Sequence, residues 1–125
     1  MPIPKITDAV GGEAVRRALA TVADRDTEAT AVRYLLQLLA EEAPGNSVEV
    51  RIPPFGAVHC IAGPGHTRGT PPNVVETDAL TWLAIATGGG NWADALAHGR
   101  ISASGSRADL SQHLPIEWDR VGEAE

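Results

Sequence analysis

The sequence predicts an α/β (α+β) layered fold, with a four- or five-stranded mixed or mainly antiparallel sheet that carries helices on one face. Two amphipathic helical patterns open the chain, and patterns typical of strands follow them. Between the later strands lies a helix that is apolar on both sides, and such a helix must be covered on both sides by protein or by an apolar cavity. The 125 residues are enough for one domain with its own core.

The first part of this domain, residues 8–43, is predicted to be helical. The helical repeat predicts a first helix over about residues 12–24, with its buried positions at Val15, Ala18, Leu19 and Val22. A second helix over about residues 28–43 has a buried face formed by Val32, Leu35, Leu36 and Leu39. The turn-forming residues 44–46 then end this helix.

Residues 47–114 are predicted to hold the sheet and the later helices. Alternation at Val48, Val50 and Ile52 predicts a half-exposed strand, which the prolines at 53 and 54 end because proline has no amide hydrogen to donate. A second strand over about residues 57–61 follows at once, so the two should form an antiparallel hairpin. A loop rich in glycine and proline, residues 63–72, leads into a third strand at Val74.

The rest of the chain has clear start and stop signals. Thr77 or Asp78 can cap a helix over 79–87, and the glycines at 88–90 end it. Asn91 can cap a short helix over 92–97, and residues 100–104 alternate as a strand does. A partial capping box at 106–109 predicts a last helix ending near residue 114. Residues 117–125 are acidic and lack periodicity, and they are predicted to form a loose tail. Trp118 is the exception, since its side chain could fold back on the domain.

Composition limits the classes of function. The net charge of −6 disfavours nucleic acid and anionic membranes as main partners, since both require clustered positive charge. The single cysteine excludes an internal disulfide and fits a reducing compartment. The apolar runs are too short to cross a bilayer, and the first residues lack the pattern of a signal peptide, so we expect a cytoplasmic protein without integral membrane association.

Candidate catalytic and metal-binding groups are sparse. His59 and Cys60 are neighbours in a strand, so their side chains point to opposite faces and cannot act as a base and its nucleophile. His66 and Arg68 lie in the glycine- and proline-rich loop, where an arginine could hold an anion. The four histidines lack metal-ligand spacing, and no cofactor motif is present, so neither a metal nor a cofactor is expected.

The apolar residues of the two later helices are candidates for ligand binding. They are Leu80, Trp82, Leu83, Ile85, Trp92 and Leu96. Apolar residues at helical spacing usually form core, yet the two-faced helix also permits an apolar cavity beside it. Both interpretations remain open on the sequence.

The order of elements after residue 73 resembles the C-terminal half of the sterol carrier protein family. The matching features are Thr87-Gly88, the segment Ala95 to Gly99, the strand 100–104 and Gly105. Residues 53–58 (PPFGAV) and 66–78 (HTRGTPPNVVETD) are similar to the short actinobacterial proteins described as bacterial sterol carrier orthologues. The resemblance extends over most of residues 47–114 and implies the same layered fold.

The resemblance also implies a function, namely non-catalytic lipid binding and transport. A hydrophobic small molecule (a fatty acid, an acyl-CoA or a sterol-like compound) would occupy an apolar tunnel lined by the six residues above, with His66 and Arg68 near its polar end. The alternative is an accessory or protein-interaction module with a filled core, related to the C-terminal domain of mycothiol-dependent isomerases. Exposed strand edges could support a homodimer in either case. A small enzyme using His66 and Arg68 is a third and weaker alternative.

Overall fold

The structure is a computed structural model that describes residues 4–63 and 73–120. In chain order its elements are α1 (Asp8–Ala20), α2 (Arg25–Glu42), β1 (Val48–Ile52), β2 (Gly56–Cys60), β3 (Asn73–Thr77), α3 (Ala79–Thr87), α4 (Trp92–Ala97), β4 (Ile101–Ser104) and a 3₁₀ turn (Ser111–His113). The four strands form one mixed sheet in the order β2-β1-β3-β4. This architecture confirms the predicted α+β fold.

The two N-terminal helices begin at side-chain caps. The Thr7 hydroxyl accepts a hydrogen bond from the Val10 amide, and the Asp24 carboxylate accepts one from the Thr27 amide at 2.7 Å. Helix α1 therefore starts four residues before the predicted position. The glycines at 11 and 12 made this start hard to predict, because glycine disfavours helix in the absence of tertiary contacts.

The hairpin predicted for β1 and β2 is present, with Val50 opposite Val58 in an antiparallel register. Strand β3 pairs parallel to β1 on its other side, and β4 pairs antiparallel to β3. The sheet buries one face only. The buried side chains of that face include Val48, Val50, Ile52, Val75 and Ile101, whereas the opposite face carries groups such as Arg51, His59 and Glu76.

The core lies between the sheet and the helices. Helix α2 contributes more fully buried side chains than any other element, among them Tyr34, Leu35 and Leu39. Helix α3 packs against α2, and the Trp82 indole donates to the Val32 carbonyl at 3.3 Å. In the described part of the chain every buried side-chain nitrogen or oxygen has a hydrogen-bond partner. Trp82 therefore lies on the core side of α3, with its indole hydrogen satisfied. The expectation that α3 is covered on both sides is wrong, because Leu80 of the same helix is 74% exposed.

The prediction of a last helix ending near residue 114 is wrong, since only a 3₁₀ turn forms there. The Asp109 carboxylate accepts from the Ser111 amide two residues on, a local bond that competes with helix. The chain then passes α3, where the Ile116 amide donates to the Ala86 carbonyl at 2.7 Å.

The described end of the acidic segment contacts the domain. Trp118 packs against the core, Asp119 pairs with Arg16 of α1 at 2.9 Å, and Arg120 pairs with Glu42 of α2 at 2.8 Å. Residues 117–120 are therefore more tightly held than the predicted loose tail, and residues 121–125 lie outside the described part. No helix in the described ranges is long and apolar enough to cross a membrane.

Candidate functional site

The six predicted ligand-binding residues do not share one environment. Trp82, Leu83, Ile85 and Trp92 are buried and belong to the core. By contrast, Leu80 is 74% exposed and Leu96 is 42% exposed. Both lie on the outer side of their helices, so the two-faced apolar pattern of α3 corresponds to a core on one side and an open surface on the other.

A cleft of about 590 Å³ lies between α3 and α4, and we call it the α3–α4 cleft. Its apolar wall consists of Leu80, Ala84, Ile85 and Ala95. Its polar lining consists of Asp78, Thr81, Asn91, Asp94, His98 and Arg100. The size suits a small ligand, and polar side chains form much of the lining. Trp92 and Ile85 also line a smaller adjoining cleft of about 360 Å³.

Several polar groups of the α3–α4 cleft are already engaged in local structure. The Asp78 carboxylate accepts from the Thr81 amide and hydroxyl, and thereby caps α3. Asn91 caps α4 in the same way through the Asp94 amide at 2.7 Å. Their first role is therefore to start helices, which accounts for their identity without a ligand.

A second cleft, of about 470 Å³, was not predicted from the sequence, and we call it the β2 groove. Its floor is α2, one wall is the end of the hairpin and β2, and the other wall is the N-terminal segment. It is lined by Pro4, Lys5, Ile6, Arg33, Leu36, Gln37, Ala40, Glu41, Phe55, Gly56, Ala57 and Val58. These residues come from three separate stretches of the chain, so the periodicity of any one stretch could not predict the groove.

The polar groups of the β2 groove lie mainly at its borders. Gln37 holds the N-terminal segment in place, because its side-chain amide exchanges two hydrogen bonds of 2.9 Å with the backbone of Ile6. Lys5 pairs with Glu41 at 2.9 Å. Arg33 Nε donates to the Phe55 carbonyl at 2.7 Å. The remaining surface is apolar and open to a ligand.

The residues considered for catalysis do not form a reactive pair. Cys60 is fully buried, and burial raises the pKa of its thiol to about 11, so the thiolate that a nucleophile requires is disfavoured. The His59 side chain lies on the opposite, exposed face, 3.8 Å from the Glu49 carboxylate. His66 and Arg68 lie outside the described residues.

The acidic residues also lack a shared site. Glu76 lies on the exposed face of the sheet near Arg51, whereas Asp78 caps α3. Within residues 4–63 and 73–120, no group of three or more histidine, cysteine, aspartate or glutamate side chains could hold a metal ion. Glu76 and Asp78 therefore do not converge on one site.

A known protein family matches most of this chain. The sequence model of a family described as "Bacterial SCP ortholog" matches residues 24–116. The match begins at the cap of α2 and contains the whole sheet, both later helices and the α3–α4 cleft. The N-terminal wall of the β2 groove lies outside it. No curated protein matches the chain.

Proposed function

Because the chain belongs to the family of bacterial sterol carrier protein orthologues, we propose that it binds and carries a hydrophobic small molecule and has no catalytic activity. The family match over residues 24–116 is the observation that carries this proposal. The resemblance suggests a fatty acid, an acyl-CoA or a sterol-like compound as the ligand class. A cytoplasmic location and the absence of nucleic-acid partners are part of the same proposal.

The physical basis of binding would be the burial of apolar ligand surface. Each methylene group removed from water contributes about 0.8 kcal/mol, against which the ordering of ligand and side chains must be set. Both clefts are within the usual range of small-molecule sites, at about 590 and 470 Å³. Both are open at the surface, so a ligand can enter without unfolding of the core.

The α3–α4 cleft contains two of the sequence-predicted residues, Leu80 and Ile85. Leu80 is the most informative of them, because it is exposed and lines the cleft together with Ile85. Changing Leu83 would be uninformative, since its burial in the core makes any polar substitution a test of folding. The β2 groove is the second candidate site, and its apolar lining makes it the stronger one on physical grounds.

Native mass spectrometry of the freshly purified protein tests the proposal. We expect a co-purifying small molecule, and after its extraction we expect saturable one-to-one binding of a fluorescent fatty acid. Val22 was predicted to be buried, but α1 ends at Ala20 and Val22 is 97% exposed. Because it lines neither cleft, Val22→Asp provides a control for an added surface charge. A clean apo mass together with no saturable binding would refute the carrier function.

A second candidate function is a protein-interaction module with a filled core. The observation that favours it is the exposure of Leu80 and Leu96 on adjacent helices, since exposed apolar groups can mark contact surfaces. Sedimentation velocity of the wild type and of Leu80→Asp would test whether this surface mediates self-association. A monomer of unchanged mass in both would remove the homodimer from this candidate.

A further inference from the structure

The two clefts differ in how their charged groups are arranged. The α3–α4 cleft mixes Asp78, Asp94 and Arg100 with its apolar wall, so both signs of charge lie inside it. The β2 groove has an apolar centre, formed by residues such as Ile6, Leu36, Ala40 and Val58, with charges at its two ends. An apolar centre with charged ends fits an amphiphile better than a fully apolar ligand.

A cation, the Arg33 guanidinium, lies at one end of the groove and has no acidic partner among the described residues. The hydrogen bond from Arg33 Nε to the Phe55 carbonyl orients the guanidinium at the groove wall. Within the described part of the chain, Arg33 forms no ion pair. Its two Nη groups can therefore donate two parallel hydrogen bonds to a carboxylate. Arg25 lies over the Phe55 ring at 5.4 Å and adds positive charge nearby.

The other end of the groove is already neutral, because Lys5 and Glu41 form an ion pair there. Arg33 and Glu41 are eight residues apart on α2, which separates the two ends by about 12 Å along the helix. The polar group between them, the Gln37 amide, is occupied by the backbone of Ile6. A bound anion is thus directed to the Arg33 end, and an alkyl chain can lie along the rest.

Gly56 lines the groove beside Arg33 and Leu36. A Cβ atom at this position would lie 3.7 Å from both Arg33 Cγ and Leu36 Cδ1, which is ordinary van der Waals contact. A small side chain can thus be added here without a clash, and a branched one would occupy the groove. This makes Gly56 a suitable position for blocking the groove while leaving the fold intact.

From these observations we infer that the β2 groove binds a single-chain fatty acid, with the carboxylate at Arg33 and the alkyl chain along Leu36 and Ala40. The inference rests on the proposed carrier function and adds to it a site, an orientation and a preference for an anionic ligand over a neutral sterol. The N-terminal segment, which Gln37 fixes beside the groove, supplies the outer wall of the site.

Titration with cis-parinaric acid, a fluorescent fatty acid, tests the site in three variants and the wild type. Arg33→Gln should weaken binding of the acid by about tenfold or more, since it removes a charged hydrogen-bond pair. Displacement by a fatty alcohol of the same chain length should be unaffected by Arg33→Gln. Gly56→Val should weaken binding of both acid and alcohol, and Leu80→Asp should bind as the wild type does.

The outcomes separate the site from the function. If Leu80→Asp loses binding while Arg33→Gln and Gly56→Val retain it, the ligand occupies the α3–α4 cleft, and the inference is overturned while the carrier function stands. Equal affinity for acid and alcohol in the wild type would overturn the role of Arg33. If the wild type binds neither probe, the carrier function itself fails. Circular dichroism of each variant verifies that the fold is retained.

Discussion

The Cα atom of Gly11 in α1 lies directly against the ring of Tyr34 in α2, so closely that a Cβ atom at Gly11 would overlap the ring. The Tyr34 hydroxyl donates in turn to the Asp8 carboxylate at 2.6 Å. One tyrosine thus joins the two helices through a packing contact and a hydrogen bond. This contact sets how close α1 approaches the rest of the domain, and it explains why the helix contains a glycine that its own stability would disfavour.

Gly11→Ala should therefore destabilise the protein by about 1 to 3 kcal/mol, because the added methyl group forces the helices apart. Gly12→Ala is the matched control. A Cβ atom there would meet its nearest neighbour, the guanidinium of Arg16, at 3.6 Å. This variant should be neutral or stabilised by up to about 1 kcal/mol, since alanine is the better helix former. Urea unfolding measures both, and similar values for the two variants would contradict the close contact.

The same tyrosine predicts a loss of stability at alkaline pH. Burial, and then the hydrogen bond to Asp8, raise the pKa of the Tyr34 phenol above its unfolded value of about 10. Stability from this group is present below about pH 10 and is lost as the pH rises further, because the unfolded chain releases the proton more readily. Unfolding midpoints should be compared at about pH 8 and about pH 10.5 for the wild type and Tyr34→Phe.

Tyr34→Phe should cost about 1 kcal/mol at the lower pH and should lose less stability than the wild type as the pH rises. Burial raises the pKa of Cys60 as well, to about 11, but this group is present in both proteins and its effect cancels in the comparison. An identical alkaline loss in both proteins would show that Tyr34 does not contribute.

Leu83 and Leu80 allow a direct test of which side of α3 forms the core. Leu83→Ala should destabilise by about 2 to 5 kcal/mol, because Leu83 is only 5% exposed and its loss leaves a cavity. Leu80→Ala should change stability by no more than about 0.5 kcal/mol, since that side chain is 74% exposed. Thermal or urea unfolding of the two variants measures both changes in stability. A large loss for Leu80→Ala would mean that this surface is covered in solution.

The docking of the C-terminal segment should depend on its apolar group and little on its charges. Ile116 is 3% exposed and packs on the core, so Ile116→Ala should destabilise by about 2 to 5 kcal/mol. Asp119→Asn removes the ion pair with Arg16, which is exposed to water, and should cost less than about 1 kcal/mol. Comparable losses in the two variants, measured by urea unfolding, would contradict this division.

Local signals in the chain were sufficient to predict much of the secondary structure. Helices α3 and α4 have the predicted bounds, because Asp78 and Asn91 cap their starts and Gly88 ends α3 in a left-handed conformation that suits glycine. The hairpin of β1 and β2 followed from alternation and a proline turn. The prediction of a final helix was wrong because the Asp109 carboxylate accepts a hydrogen bond from the Ser111 amide, and this local bond competes with helix formation.

Tertiary structure alone decided the parallel pairing of β1 with β3 and the position of the clefts. The apolar pattern of α3 did not distinguish buried Leu83 from exposed Leu80, since which side a helix buries depends on what packs against it. The β2 groove joins residues of the N-terminal segment, α2 and β2 that are distant in sequence. Caps, turns and periodicity act between near neighbours and can be read from the chain, whereas a groove exists only once separate segments have packed together.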